Sequence, residues 1–166
     1  MRTSFSYIFD APGKFLKTAV IGFGVYFALN MAVTVILAVI MGDIEDLINP
    51  NNAAIDALSK EEWPTMAVMS VFLAPVVEET MFRGALFGTI RTKSRWAAYI
   101  VTVAVFSIYH LWPYFLTEYD PDLWLYLLQY VPASVVLCAV YEKSGTVWCS
   151  VLMPMAINAI GMAAVK

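Results

Sequence analysis

The chain has 166 residues, of which 61% are hydrophobic and only 14% charged, with a mean hydropathy of +0.72. Soluble domains run at about half apolar and about a quarter charged, so both departures point to a bilayer as solvent and exclude a water-exposed globular surface. The net charge of −3, with no basic block, argues against nucleic acid as a partner.

Met1 to Lys17 is mixed in character, without the apolar core and small-residue cleavage site of a signal peptide, so none is expected. Five apolar runs follow, each near the roughly 20 residues that cross a bilayer. The first, Thr18 to Met41, carries no charge. It gives way to Gly42 and the acidic Asp43, Glu45 and Asp46, then to Asn49-Pro50-Asn51-Asn52 and a mixed stretch that reads as a loop or an interfacial helix. The second starts at Pro64, which suits a first helical turn, and reaches about Ile90; Glu78, Glu79 and Arg83 interrupt it. The third, Trp96 to about Leu116, holds His110, the chain's single histidine. The fourth is Leu123 to Tyr141, and the fifth, Thr146 to Val165, carries Asn158. Cys138 and Cys149 read as buried apolar residues, since they lack CxxC spacing. Met153, Met155 and Met162 fit helix packing and lipid contact, and Trp63, Trp96, Trp112 and Trp148 fit an interfacial aromatic belt.

The connections alternate in charge. Lys14 and Lys17 precede the first run, Arg91, Lys93 and Arg95 separate the second from the third, and Lys143 separates the fourth from the fifth. Between these lie acidic connections with Glu61 and Glu62, and with Glu118, Asp120 and Asp122. The positive-inside rule then places the N-terminus in the cytoplasm. The expected fold is all-α: a polytopic membrane bundle of about five transmembrane helices. An N-terminal segment, residues 1–63, would hold one helix and an extracytoplasmic loop, and residues 64–166 a four-helix core.

Ionisable residues at mid-membrane cost about 2.5–3.5 kcal/mol each on insertion scales. Glu79 and Arg83, four apart with the acid first, make a favourable structural pair. Glu78 is left over, because adjacent helical residues point about 100° apart. Glu78 lies 13 residues from Arg91, His110 lies 15 from Arg95, and Asn158 lies 15 from Lys143. Each is thus roughly 20–23 Å along its helix from the basic end. Three polar groups at one level imply a shared buried site. A desolvated carboxylate suits a general base, a histidine can share the activation of water, and an Asn amide can donate to an oxyanion. No serine or cysteine is spaced with the histidine as a nucleophile, and no HExxH or second histidine offers a zinc site, so neither cofactor nor metal is expected.

Glu78-Glu79-Thr80-Met81-Phe82-Arg83-Gly84 resembles the EExxxRG motif of the CAAX protease and bacteriocin-processing (CPBP, or Abi) family. Phe106 to His110 resembles that family's FxxxH, and Gly145 through Asn158 its third region, which ends in HxxxN. The resemblance covers residue 64 to the C-terminus. It implies an intramembrane endopeptidase of the glutamate type in a membrane, expected to be a prokaryotic cytoplasmic membrane, that cleaves a peptide or protein tail. In it Glu78 activates water with His110, Asn158 contributes to the oxyanion site, and Glu79 with Arg83 supports them. The histidine four residues before the Asn is here Pro154, which has neither donor nor acceptor in its side chain. Loss of one oxyanion donor commonly costs about 10²–10³ in rate. Two alternatives follow: a non-catalytic binding or immunity protein of this family, and a proton- or ion-relay subunit using Glu78, Glu79 and His110. The relay lacks the internal repeat common in transporters.

Overall fold

The computed structural model describes residues 12–43, 47–117 and 120–165, and these fold entirely as helices and short connections. The expectation for residues 1–11, and those for Glu45, Asp46 and Glu118, lie outside the described residues. Five helices are long and apolar enough to cross a membrane: α1 (Pro12–Met41), α3 (Trp63–Arg91), α4 (Arg95–Thr117), α5 (Leu123–Ser144) and α6 (Val147–Val165). The stretch read as a loop or an interfacial helix is a helix, α2 (Pro50–Glu61). Its first turn explains the Asn-Pro-Asn-Asn sequence. Asn49 caps it by accepting from the Asn52 N–H at 2.9 Å, and Pro50 occupies the first turn, where a missing N–H costs nothing.

The helices differ in how much they give to the interior. Only 6% of the most apolar window of α1 is buried, against 44% of that of α5. A helix so apolar and so exposed requires lipid around it, whereas α5 forms the centre of the bundle. Phe15, Ala19, Phe23 and Tyr26 of α1 recur at helical spacing against Val136, Leu137 and Val140 of α5 and Cys149 and Met153 of α6. The helices come close at Gly22, where a Cβ would stand 2.6 Å from Val140 Cγ2 and 3.0 Å from Met153 Sδ. A small residue lets the helices meet, as is general for helix contacts in lipid. Both cysteines are buried and free.

α3 is not a uniform helix. Met69–Leu73 and Thr80–Phe87 are wound as π-helix, with Ala74–Glu79 in α-form between them. Proline contributes to this. The Ala74 N–H reaches back five residues to Met69 O, and Pro75 has no N–H to give the next carbonyl, Ser70 O. Interior prolines recur in the other core helices: Pro113 in α4, Pro132 in α5 and Pro154 in α6. α5 stops at Gly145, whose φ of 73° is the left-handed conformation that glycine adopts without penalty, and its N–H closes the helix on Tyr141 O at 2.9 Å.

At one end of the bundle the helices close tightly. Phe87 packs edge-on against Tyr99 at 5.1 Å and Tyr141 at 6.0 Å between ring centroids, over Ala98, Cys138 and Val151. Just beyond, Glu142 ties three helices together. It pairs with Arg91, and with Arg95 at 2.9 Å, and it accepts from the Tyr99 hydroxyl at 3.0 Å.

Candidate functional site

The other half of the bundle forms a half-open cavity of about 850 Å³. Its walls come from the halves of α1, α3, α4, α5 and α6 that lie nearer α2, and from α2 with its cap. The basic connection Arg91 to Arg95 and Lys143 lie at the opposite end. Glu78, Glu79, His110 and Asn158 all line this cavity, and so does Pro154. Arg83 stands behind the wall, fully buried.

The two adjacent acids divide as their angular separation requires. Glu79 turns inward, 1% exposed, and its Oε1 accepts from Arg83 Nη1 at 2.8 Å. Arg83 Nη2 reaches across to the Ser134 carbonyl at 3.4 Å and its hydroxyl at 3.3 Å, and the guanidinium lies 4.4 Å from the centre of the Phe106 ring. One cation thereby links α3, α4 and α5. A buried pair of this kind contributes little net stability against an apolar substitute, but losing one partner strands the other charge. Its geometry leaves Glu79 Oε2 and Arg83 Nε without hydrogen-bond partners. Glu78, on the neighbouring face, is partly open to the cavity and accepts no hydrogen bond from the described residues.

His110 is held by packing. It stacks on Tyr130 at 4.4 Å and 27°, with Phe106 at 4.5 Å and Tyr109 at 5.4 Å. Its Nδ1 lies 2.8 Å from the Phe106 carbonyl oxygen. A carbonyl only accepts, so Nδ1 carries the proton and donates, and Nε2 keeps its lone pair. Asn158 has a structural partner: its Nδ2 donates to Ser70 O at 2.7 Å, the carbonyl that Pro75 leaves without a backbone donor. α6 thus satisfies a backbone group of α3 in a region where none is left unpaired cheaply. One amide N–H and the amide oxygen remain uncommitted.

A polar network that sequence reasoning passed over borders the same cavity. Asn49, fully buried, donates to Gln129 Oε1 at 2.5 Å and accepts from the Tyr130 hydroxyl at 3.1 Å. Gln129 donates to Leu47 O at 2.8 Å, and Asn51 donates to the Tyr130 hydroxyl at 3.2 Å. These bonds fasten the start of α2 to α5, and Tyr130 carries the connection to the His110 ring. At the far end of α2, Ser59 donates to Met162 Sδ at 3.4 Å, and Trp63 Nε1 donates to Met162 O at 3.0 Å. Gln129, a single amide in an otherwise apolar run, is the signal that could have disclosed the network.

Among the described residues, no three His, Cys, Asp or Glu side chains gather closely enough to hold a metal ion. The arrangement presents a carboxylate, an imidazole nitrogen with a free lone pair and an amide N–H to one cavity inside an apolar bundle. Those groups suffice to activate water and receive a developing oxyanion.

A family model described as "Type II CAAX prenyl endopeptidase Rce1-like" matches residues 60–160, a stretch that holds Glu78, Glu79, Arg83, His110 and Asn158 and leaves out α1. No curated protein and no solved structure matches the chain.

Proposed function

The chain belongs to the Rce1-like family of type II CAAX prenyl endopeptidases, and on that premise we propose that it is an intramembrane endopeptidase whose nucleophile is a water activated by Glu78. The observation that carries this reading is that Glu78, His110 and Asn158, from three helices, line one cavity. Glu78 takes a proton from the water as its oxygen attacks the scissile carbonyl carbon. His110 Nε2 accepts the water's other hydrogen in a hydrogen bond and orients it; the Nδ1–H bond to Phe106 O fixes that tautomer. The carbonyl π electrons move onto its oxygen, which receives the uncommitted N–H of Asn158. When the tetrahedral intermediate collapses, the C–N bond breaks and protonated Glu78 returns its proton to the departing amine. Water and the peptide bond are thereby converted to a carboxylic acid and an amine, with Glu78 regenerated. Glu79 and Arg83 hold the helix that presents Glu78.

Pro154 defines the expected speed. It lines the cavity where the family pattern has a histidine, and it offers no donor. The oxyanion then has one side-chain donor in place of two, a loss of about 10²–10³ in rate. The same observation favours a second reading, a member that binds peptide without turnover, as an immunity protein would.

One experiment separates them: cleavage of a peptide library by purified protein in detergent, comparing wild type, Glu78→Ala and Pro154→His. The hydrolytic reading expects cleavage lost in Glu78→Ala and raised in Pro154→His. Cleavage that survives Glu78→Ala overturns it. A wild type that cleaves nothing, beside an active Pro154→His, supports the binding reading.

A further inference from the structure

α1 lies outside the matched stretch, and its apolar surface faces outward along most of its length. Yet three of its side chains line the cavity, and all three are polar: Tyr26, Asn30 and Thr34. They stand four residues apart, so they form one stripe on a helix that is otherwise apolar beyond Thr18. Asn30 and Thr34 make no hydrogen bond among the described residues, and neither does the Tyr26 hydroxyl. Three other amides of this bundle, those of Asn49, Gln129 and Asn158, each hold a partner at 2.9 Å or less. An amide in a membrane helix with nothing to bond is costly unless something in the cavity meets it.

The spacing identifies what would. Positions four apart on an α-helix rise about 6 Å. Same-side N–H and C=O groups of an extended peptide recur every two residues, about 6.6–6.8 Å apart. A hydroxyl, an amide and a hydroxyl at that interval can each donate to, or accept from, successive main-chain groups of one extended strand, as an added strand does at a sheet edge. The acid that would activate water, Glu78, lines the same cavity from α3.

We propose that Tyr26, Asn30 and Thr34 form the rail that holds the main chain of an extended peptide substrate in the cavity, with Asn30 as its central contact. This rests on the endopeptidase reading and gives α1 a positioning role in it. Recognition through main-chain groups makes the site tolerant of side-chain sequence and selective for unfolded segments, because a helix has already spent its N–H and C=O groups internally.

The test uses full-length protein in detergent and a biotinylated hydrophobic peptide library. Asn30→Leu, which keeps the volume and removes the hydrogen bonds, is expected to raise KM about tenfold with kcat little changed, a loss corresponding to one main-chain contact. Asn30→Gln should recover part of it, and the lipid-exposed Val35→Leu should leave both constants as in wild type. A photo-crosslinking residue placed at 30 in a Glu78→Gln background should capture peptide, and the same residue at 35 should not. If the wild type cleaves nothing while crosslinking is confined to position 30, the endopeptidase reading fails and the rail stands. Unchanged KM in Asn30→Leu, or equal crosslinking at 30 and 35, overturns the rail.

Discussion

The same five helices make two different interiors. Toward Arg91 and Arg95, rings and aliphatic side chains from α3, α4, α5 and α6 fill the space, and Glu142 fastens three helices around two cations and a tyrosine hydroxyl. Toward α2, the same helices stand apart around about 850 Å³, and amides and aromatic rings replace aliphatic packing. The closed end fixes where the helices are, so the open end can hold polar groups apart without collapsing on them. Glu79 and Arg83 sit at the boundary, linking α3, α4 and α5 where packing gives way to cavity.

The boundary should be the most sensitive place. Arg83→Met leaves the almost fully buried Glu79 without its cation and is expected to destabilise by about 3–5 kcal/mol, read as a large fall in Tm in detergent. Adding Glu79→Gln should recover most of that loss; a double variant as unstable as the single would show that Arg83 acts through Ser134 and Phe106 alone. At the open end, Asn49→Ala removes a helix cap and takes one hydrogen-bond partner each from Gln129 Oε1 and the Tyr130 hydroxyl, for about 1–2 kcal/mol. Its distinguishing readout is faster hydrogen exchange along α2, with α5 beyond Pro132 unaffected. At the closed end, Glu142→Gln should cost least, about 0.5–1 kcal/mol, because Arg91 and Arg95 are 37% and 59% exposed and water can take them up. If Glu142→Gln instead exceeded Asn49→Ala, the closed end would depend on its ion cluster more than on its rings.

Much of this was legible in the residues, for definite reasons. Five spans stand out because length and apolarity are local properties. Glu78, His110 and Asn158, which line one cavity, were candidates for a shared site because helical rise converts sequence distance into an expected depth. The local winding of α3 escaped, since an apolar pattern does not distinguish bonds made four residues back from bonds made five back. So did the partner of Asn158, which needed both Pro75 on α3 and the approach of α6. Asn49 and Gln129 are 80 residues apart, and nothing in either neighbourhood announces the other. Glu142 was overlooked beside the more numerous cations that it gathers. Tyr26, Asn30 and Thr34 were hidden by their own helix, whose mean character is so apolar that a three-residue stripe does not disturb it.

The one-sided cavity also shapes the electrical profile of the bundle. Water filling it would carry a high dielectric to the level of Glu78, leaving the ring-packed half as the insulating layer. A transmembrane potential, about 2.3 kcal/mol per elementary charge at 100 mV, would then fall mainly across the stack of Phe87, Tyr99 and Tyr141. A charged chain end moving within the cavity would feel little of that drop.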